Sequence, residues 1–173
     1  MISKKLHDAI NERINAELWS AYLYLSMSLD AEDKGLKGVA NWFFIQFREE
    51  QDHARIFMNY LNAQGSRVAL QLIEPVQQHW ENMQAAFADT LKHEQKVTAF
   101  IHELAKQAEA EHDYATQNML RWFIDEQVEE EQSVGDILNT LRHMAGLGQG
   151  VYLLDKDLAT RTYTVPSPLA TAE

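Results

Sequence analysis

The chain has 173 residues, 46% of them hydrophobic, with 15 Lys+Arg against 26 Asp+Glu and a formal net charge of -11. These figures suit one compact domain with a sizeable core, and the acidic balance argues against nucleic acid as a partner and favours cations. Cysteine is absent, which excludes disulfides and thiolate metal sites and leaves His and carboxylates as ligands.

Lys4 and Lys5 are followed by His7, Asp8, Asn11 and Glu12, not by the apolar core of a signal peptide. No stretch is long and apolar enough to span a membrane, so no membrane partner and a cytoplasmic location are expected. A first helix, α1, is predicted from an N-cap at Ser3 to about residue 33, with Gly35 as its stop. Its seam runs through Ile10, Ile14, Glu17, Ala21, Tyr24 and Ser28. A second helix, α2, is predicted over 37–64 and is closed by Gly65. Val39, Phe43, Gln46, Glu50, His53, Phe57 and Tyr60 follow one another in it at alternating steps of four and three, the inward stripe of a bundle helix.

Residues 66–79 contain Pro75 and show no helical period. Val68, Ala69, Leu70 and Leu72 are apolar enough to lie on the bundle surface as an extended strap. Antiparallel neighbours need only about 2–8 connecting residues, so this length predicts a crossover that makes α2 and α3 parallel. The third helix, α3, is predicted over 80–110, with Trp80, Met83, Phe87, Thr90, Glu94, Val97, Ile101, Leu104 and Ala108 in its seam. The fourth, α4, is predicted over 113–145, ending at Gly146, with Thr116, Leu120, Phe123, Gln127, Glu130, Val134, Ile137 and Leu141 inward. Gly135 within it costs about 1 kcal/mol relative to Ala, and nothing in the sequence explains it. Residues 148–150 read as a turn, and Val151, Leu154 and Leu158 as a short amphipathic α5. One domain is expected over 1–162, with the tail 163–173 poorly ordered.

Each long helix thus carries a carboxylate in its core seam, Glu17, Glu50, Glu94 or Glu130, and His53 lies one turn from Glu50. All are near mid-helix and can share one layer. Desolvation costs several kcal/mol per ion, against a whole-protein stability of about 5–15 kcal/mol. No Lys or Arg occupies the four seams, so these groups either stay protonated or bind metal. Two divalent cations would balance four negative charges, and a mixed carboxylate–imidazole set suits iron, manganese or zinc better than calcium. Tyr24 shares a face with Glu17, and Gln127 interrupts the same seam as Glu130. Alone, Tyr24 reads as plain core.

A second acidic group lies beside the first. Glu126, Glu129, Glu130 and Glu131 crowd one turn of α4, with no Lys or Arg between Trp122 and Leu141, and Glu49 flanks the seam of α2. Like charges at that spacing cost about 0.2–0.5 kcal/mol per pair. The group is either a further cation site, a patch receiving ions that leave the core, or simply acidic surface. The turn with Glu109, Glu111, His112 and Asp113 reads as a solvated loop or a channel rim.

Four stretches then carry a resemblance: Asn15-Ala16-Glu17-Leu18-Trp19-Ser20-Ala21-Tyr22-Leu23-Tyr24, Glu49-Glu50-Gln51-Asp52-His53-Ala54, Trp122-Phe123-Ile124-Asp125-Glu126-Gln127-Val128-Glu129-Glu130-Glu131 and Tyr152-Leu153-Leu154-Asp155. The chain resembles the non-haem bacterial ferritins over about residues 1–162. The resemblance implies an all-α, ferritin-like four-helix bundle with one long crossover between α2 and α3 and a short fifth C-terminal helix. It implies a di-iron ferroxidase centre with Glu17, Glu50 and His53 on the first iron, Glu50 bridging, and Glu94 and Glu130 on the second. Gln127 becomes a hydrogen-bonding partner of that centre and Tyr24 the tyrosine beside it. A third iron site falls on Glu49, Glu126, Glu129 and Glu130. Twenty-four subunits would form a hollow shell, in which ferrous iron is oxidised by dioxygen or hydrogen peroxide and kept as ferric oxo-hydroxide. Haem is not expected, because Gln51 stands where the bacterioferritin haem methionine would be and Gln127-x-x-Glu130 replaces a second Glu-x-x-His. The in-bundle ligands and α5 also argue against the small DNA-protecting relatives. Two other readings use the same residues: a di-iron oxidase or peroxidase without storage, and a helical bundle whose glutamates stay protonated and bind no metal.

Overall fold

Ser3 opens the first helix as its sequence predicts: in an extended conformation, its side chain accepts the Leu6 N–H and so satisfies one of the donors left free at a helix start. A computed structural model describes residues 2–144 and 149–170. Its helices are α1 Lys4–Asp33, α2 Lys37–Ala63, α3 Met83–Ala110, α4 Tyr114–His143 and α5 Gly150–Leu158. Gly35, at φ 73°, makes the left-handed turn between α1 and α2 that a side chain would strain.

Trp80 is buried but lies ahead of α3, not in it. The helix starts three residues later, where Asn82 in an extended conformation accepts the Ala85 N–H. Trp80 is fixed instead from α1: its N–H donates to Asp30, and Lys34 donates to its carbonyl. Asp113 caps α4 through the Thr116 N–H. The predicted end of α4 at residues 145 and 146, and Gly148 of the predicted turn, lie outside the described residues, as do residues 171–173. Gly150 is the first residue of α5 and not part of a turn.

The crossover runs parallel to α1. The contacts climb in step: His7 with the Arg67 carbonyl, Asn11 with both backbone groups of Ala69, Asn15 with the Gln71 N–H, Ser26 with the Gln77 carbonyl. Because α1 and α2 are antiparallel, this path returns the chain to the start of α2 and makes α3 parallel to it. The attachment differs from the expected apolar one. Val68 packs on the core, but Leu70 and Leu72 point to solvent, 67% and 84% exposed, and the strap is held by its backbone amides.

Two apolar clusters fill the bundle. One gathers Tyr24, Met27, Phe43, Phe87, Val134, Ile137 and Leu154; the other gathers Ile10, Ile14, Phe57, Leu61, Ile101, Leu104 and Phe123. Glu17, Gln46, Glu50, His53, Glu94, Gln127 and Glu130 are buried as well but belong to neither cluster, and they form the polar layer of the bundle core. Beyond α5 the chain runs along α2. Asn41 bonds the Leu158 and Arg161 carbonyls, Tyr163 donates to Asp52, the Arg48 guanidinium lies 3.6 Å over the Tyr163 ring, and Leu169 packs on the second cluster. Among the described residues no helix is long and apolar enough to cross a membrane.

Candidate metal centre

The steps of four and three that turn Val39, Phe43 and Phe57 inward also turn Glu50 and His53 inward. Glu17 meets them from α1. Each of the three offers a ligand atom, and these atoms all lie within 4.8 Å of one another. The His53 ring is boxed edge-on by Trp122 and Phe123, at 5.5 and 5.8 Å between centroids. Burial pushes the imidazole pKa down, which keeps the ring neutral and a lone pair available. Glu50 Oε2 and His53 Nε2 are buried with no hydrogen-bond partner among the described residues. The orphaned oxygen belongs to the Glu50 carboxylate, whose Oε1 lies 3.9 Å from His53 Nδ1, and that convergence suits a cation; His53 Nε2 is turned towards Glu126 instead.

Glu94 and Glu130 face the same layer from the other pair of helices but are held by neighbours. Tyr24 donates its phenol to Glu94 Oε1, and Gln127 Nε2 donates to Glu94 Oε2 at 3.1 Å. Gln46 Nε2 donates to Glu130 Oε2 at 2.9 Å. Burial raises Glu50, with the charges of Glu17 and Glu94 adding to it. Burial likewise raises Glu94 and Glu130. Burial would raise Glu17 too, but the Arg13 guanidinium outweighs it and holds the carboxyl at about 2.

That guanidinium corrects the expectation that no basic side chain reaches the core carboxylates. Arg13 lies one turn before Glu17 and is 4% exposed. Its Nε and Nη2 each donate to a different Glu17 oxygen at 2.7 Å. The seam rule missed it because the seam gives the direction of Cβ, whereas a long arginine can fold inward from a flanking position.

The outer acids are arranged differently. Glu126 Oε1 stands 3.9 Å from His53 Nε2, Glu129 is exposed, and Glu49 Oε2 accepts from Arg161 Nη2 at 2.7 Å. Burial, with Glu129 and Glu49 nearby, lifts the Glu126 carboxyl to about 7. Among the described residues the ligand atoms that converge within metal reach are those of Glu17, Glu50 and His53; those of Glu49, Glu126 and Glu129 do not.

The ferritin-like domain family matches residues 7–144. The chain belongs to the ferritin family. It is 34% identical over 163 residues to a bacterial non-heme ferritin of Staphylococcus aureus, covering 94% of this chain and 98% of that one. It is also 34% identical over 158 residues to a probable bacterial non-heme ferritin-like protein of Haemophilus influenzae, covering 91% and 96%. Among solved structures, an open pore ferritin from the hyperthermophilic archaeon Archaeoglobus fulgidus superposes with a TM-score of 0.92 at 42% identity, covering 94% of this chain and all of that one. A humanized archaeal ferritin gives 0.93 at 43%, covering 95% and 99%. The non-haem ferritin reading of the motifs and the all-α bundle with a fifth helix both stand.

Three further residues of this ferritin bear on the centre and were not singled out by sequence. Gln46 was in the seam, and its polarity there was the available signal. His93, next to Glu94, donates to or accepts from Ser20 Oγ at 2.8 Å, and burial holds its pKa at about 4. Its ring sits 5.7 Å from Trp19 and 5.9 Å from Tyr24. Arg161 comes from beyond α5, and no local pattern links it to Glu49.

Proposed function

We propose that this ferritin oxidises ferrous iron at a di-iron ferroxidase centre within each subunit. The ferric product is kept as an oxo-hydroxide mineral in a hollow, cytoplasmic shell of twenty-four subunits. The observation that carries the reading is the buried convergence of Glu17, Glu50 and His53, where Glu50 Oε2 has no hydrogen-bond partner among the described residues. Iron is the substrate. Glu17, Glu50 and His53 bind one ferrous ion, Glu94 and Glu130 a second, and Glu50 bridges. Each ion gives up one electron; the two electrons and two protons take dioxygen to hydrogen peroxide, or peroxide to two waters.

The neighbouring residues support that chemistry. Glu50, Glu94 and Glu130, protonated through burial, release protons as they ligate. Tyr24 and Gln127 aim the Glu94 carboxylate, and Gln46 aims that of Glu130. Glu49, Glu126 and Glu129, with Glu130, make an outward third iron site only when Arg161 releases Glu49 and the carboxylates close on the ion, and haem has no part.

Aerobic ferrous-iron oxidation tests the centre. Glu50→Ala and His53→Ala should each cut the initial rate by about tenfold or more. Equal initial rates in the wild type and both variants would overturn the assignment. Storage is tested separately by iron loading and size-exclusion chromatography. Iron that elutes with a large assembly supports storage, and a small species without mineral leaves only a di-iron oxidase.

A further inference from the structure

Among the described residues Arg13 is the only Lys or Arg buried in the core, and it sits on a residue of the candidate metal centre. Its guanidinium packs 5.5 Å from the Phe100 ring and spends both prongs of its fork on Glu17. Such two-pronged pairs are the strong form of the arginine–carboxylate interaction, and a guanidinium stays charged under all ordinary conditions. Four ionised glutamates balance two divalent cations with nothing left over; a guanidinium that stays in place adds one uncompensated positive charge. A cation arriving between Glu17, Glu50 and His53 therefore meets a like charge and a carboxylate whose two oxygens are already engaged.

We propose that Arg13 is a resident counter-cation that competes with metal for Glu17. It holds the Glu17–Glu50–His53 position at low affinity, so that ions pass through it and do not stay. The proposal rests on the di-iron reading above. Binding draws at least one Glu17 oxygen off the guanidinium, and release of the ion restores the pair. No bond in the chain is made or broken. In the metal-free state the Arg13–Glu17 pair supplies the charge balance that the polar layer otherwise lacks.

The test is titration of the metal-free protein with Co2+, a redox-inert probe whose visible absorption reports its ligand number. Arg13→Gln removes the charge and keeps one amide donor for Glu17; it should bind the first Co2+ about tenfold tighter than the wild type. Arg13→Lys keeps a charge but has no fork, and should bind about threefold tighter. A purely structural role predicts the opposite sign, since damage to the layer weakens binding. Affinity in Arg13→Gln equal to or weaker than wild type would overturn the proposal. If that variant does not fold, wild-type or weaker affinity in Arg13→Lys does the same. Glu50→Ala is titrated alongside: if it binds Co2+ like the wild type, the ion is not at this centre, and the di-iron reading fails before Arg13 is at issue.

Discussion

Asp155 on α5 reaches the first turn of α2, where its Oδ1 accepts the Gly38 N–H at 2.8 Å and the Val39 N–H at 3.0 Å. Leu36, the N-cap of α2, offers no side-chain bond, so the cap comes from a residue more than a hundred positions away. The approach is close enough to require glycine: a Cβ on Gly38 would fall 1.6 Å from the Asp155 carbonyl oxygen. Alanine is the better helix former by about 1 kcal/mol, yet Gly38→Ala should lower stability and loosen α5. Asp155→Ala should cost about 1–3 kcal/mol by leaving two helix-start donors unsatisfied. Urea unfolding and limited proteolysis at α5 measure both. A Gly38→Ala variant that is more stable and equally protected would show that α5 does not dock this closely.

Why some of this was legible and some was not follows from what a seam encodes. Glu17, Glu50, His53, Glu94 and Glu130 stood out because a polar residue in an apolar stripe has few other reasons to be there, and all five are buried. The crossover was legible from its length. Its attachment was not, because it depends on Asn11 and Asn15 bonding a backbone, and amide side chains on a helix flank give no pattern. Arg13 and Arg161 were missed for a shared reason: each reaches a carboxylate through a long side chain from a position outside any seam. The start of α3 was misread because Trp80 continues the apolar period, whereas the Asn82 cap is what begins the helix.

Tyr24 donates to one Glu94 oxygen and Gln127 to the other, so both ends of that carboxylate are fixed. Burial, with Glu94 and Glu50 close by, pushes the Tyr24 phenol well above its ordinary value, which keeps it a donor throughout the working range. Tyr24→Phe should destabilise the metal-free protein by about 0.5–1.5 kcal/mol, the net worth of a hydrogen bond to an uncharged partner. It should slow ferrous oxidation several-fold without abolishing it, since every proposed iron ligand remains. Denaturant unfolding and initial oxidation rates check the two halves. An unchanged rate would leave Tyr24 as core packing alone.

The carboxyl groups predict how the metal-free protein responds to pH. Burial raises Glu50, Glu94 and Glu130, and lifts Glu126 from 4.5 to about 7. In the window from 4.5 to about 7 the folded state holds carboxyl protons that the unfolded chain has released, and the contribution of these groups falls as the pH rises, while the neutral His53 and His93 contribute with the opposite sign up to about 6.5. Glu17 behaves oppositely: held at about 2 by Arg13, it adds stability above 4.5 that is lost as the pH falls towards 2. Divalent metal binds the deprotonated carboxylates, so its stabilising effect should grow as the pH rises. Thermal melting between about pH 6.5 and about pH 8, above the range in which His53 and His93 oppose the carboxyls, should show a falling Tm without metal and a widening gap with it. A metal-free Tm that climbs across this range would contradict the buried, protonated state of the layer.

Gly135 remains anomalous within its own subunit. It lies in the interior of α4, and among the described residues a Cβ placed on it meets no heavy atom within 4 Å apart from the backbone of its own helix turns. Neither a turn nor a close approach requires glycine there, so the helix gives up about 1 kcal/mol for no intrasubunit gain. On dissociated subunits, Gly135→Ala should raise stability by about 1 kcal/mol, or Tm by roughly 2–4 °C for a chain of this size. The informative comparison is with the assembled protein. If the same substitution stabilises the assembly as well, the glycine has no packing role at all. If it stabilises dissociated subunits but reduces the large species on size-exclusion chromatography, a neighbouring subunit approaches α4 at this turn, and the lost helix propensity is the cost of that contact.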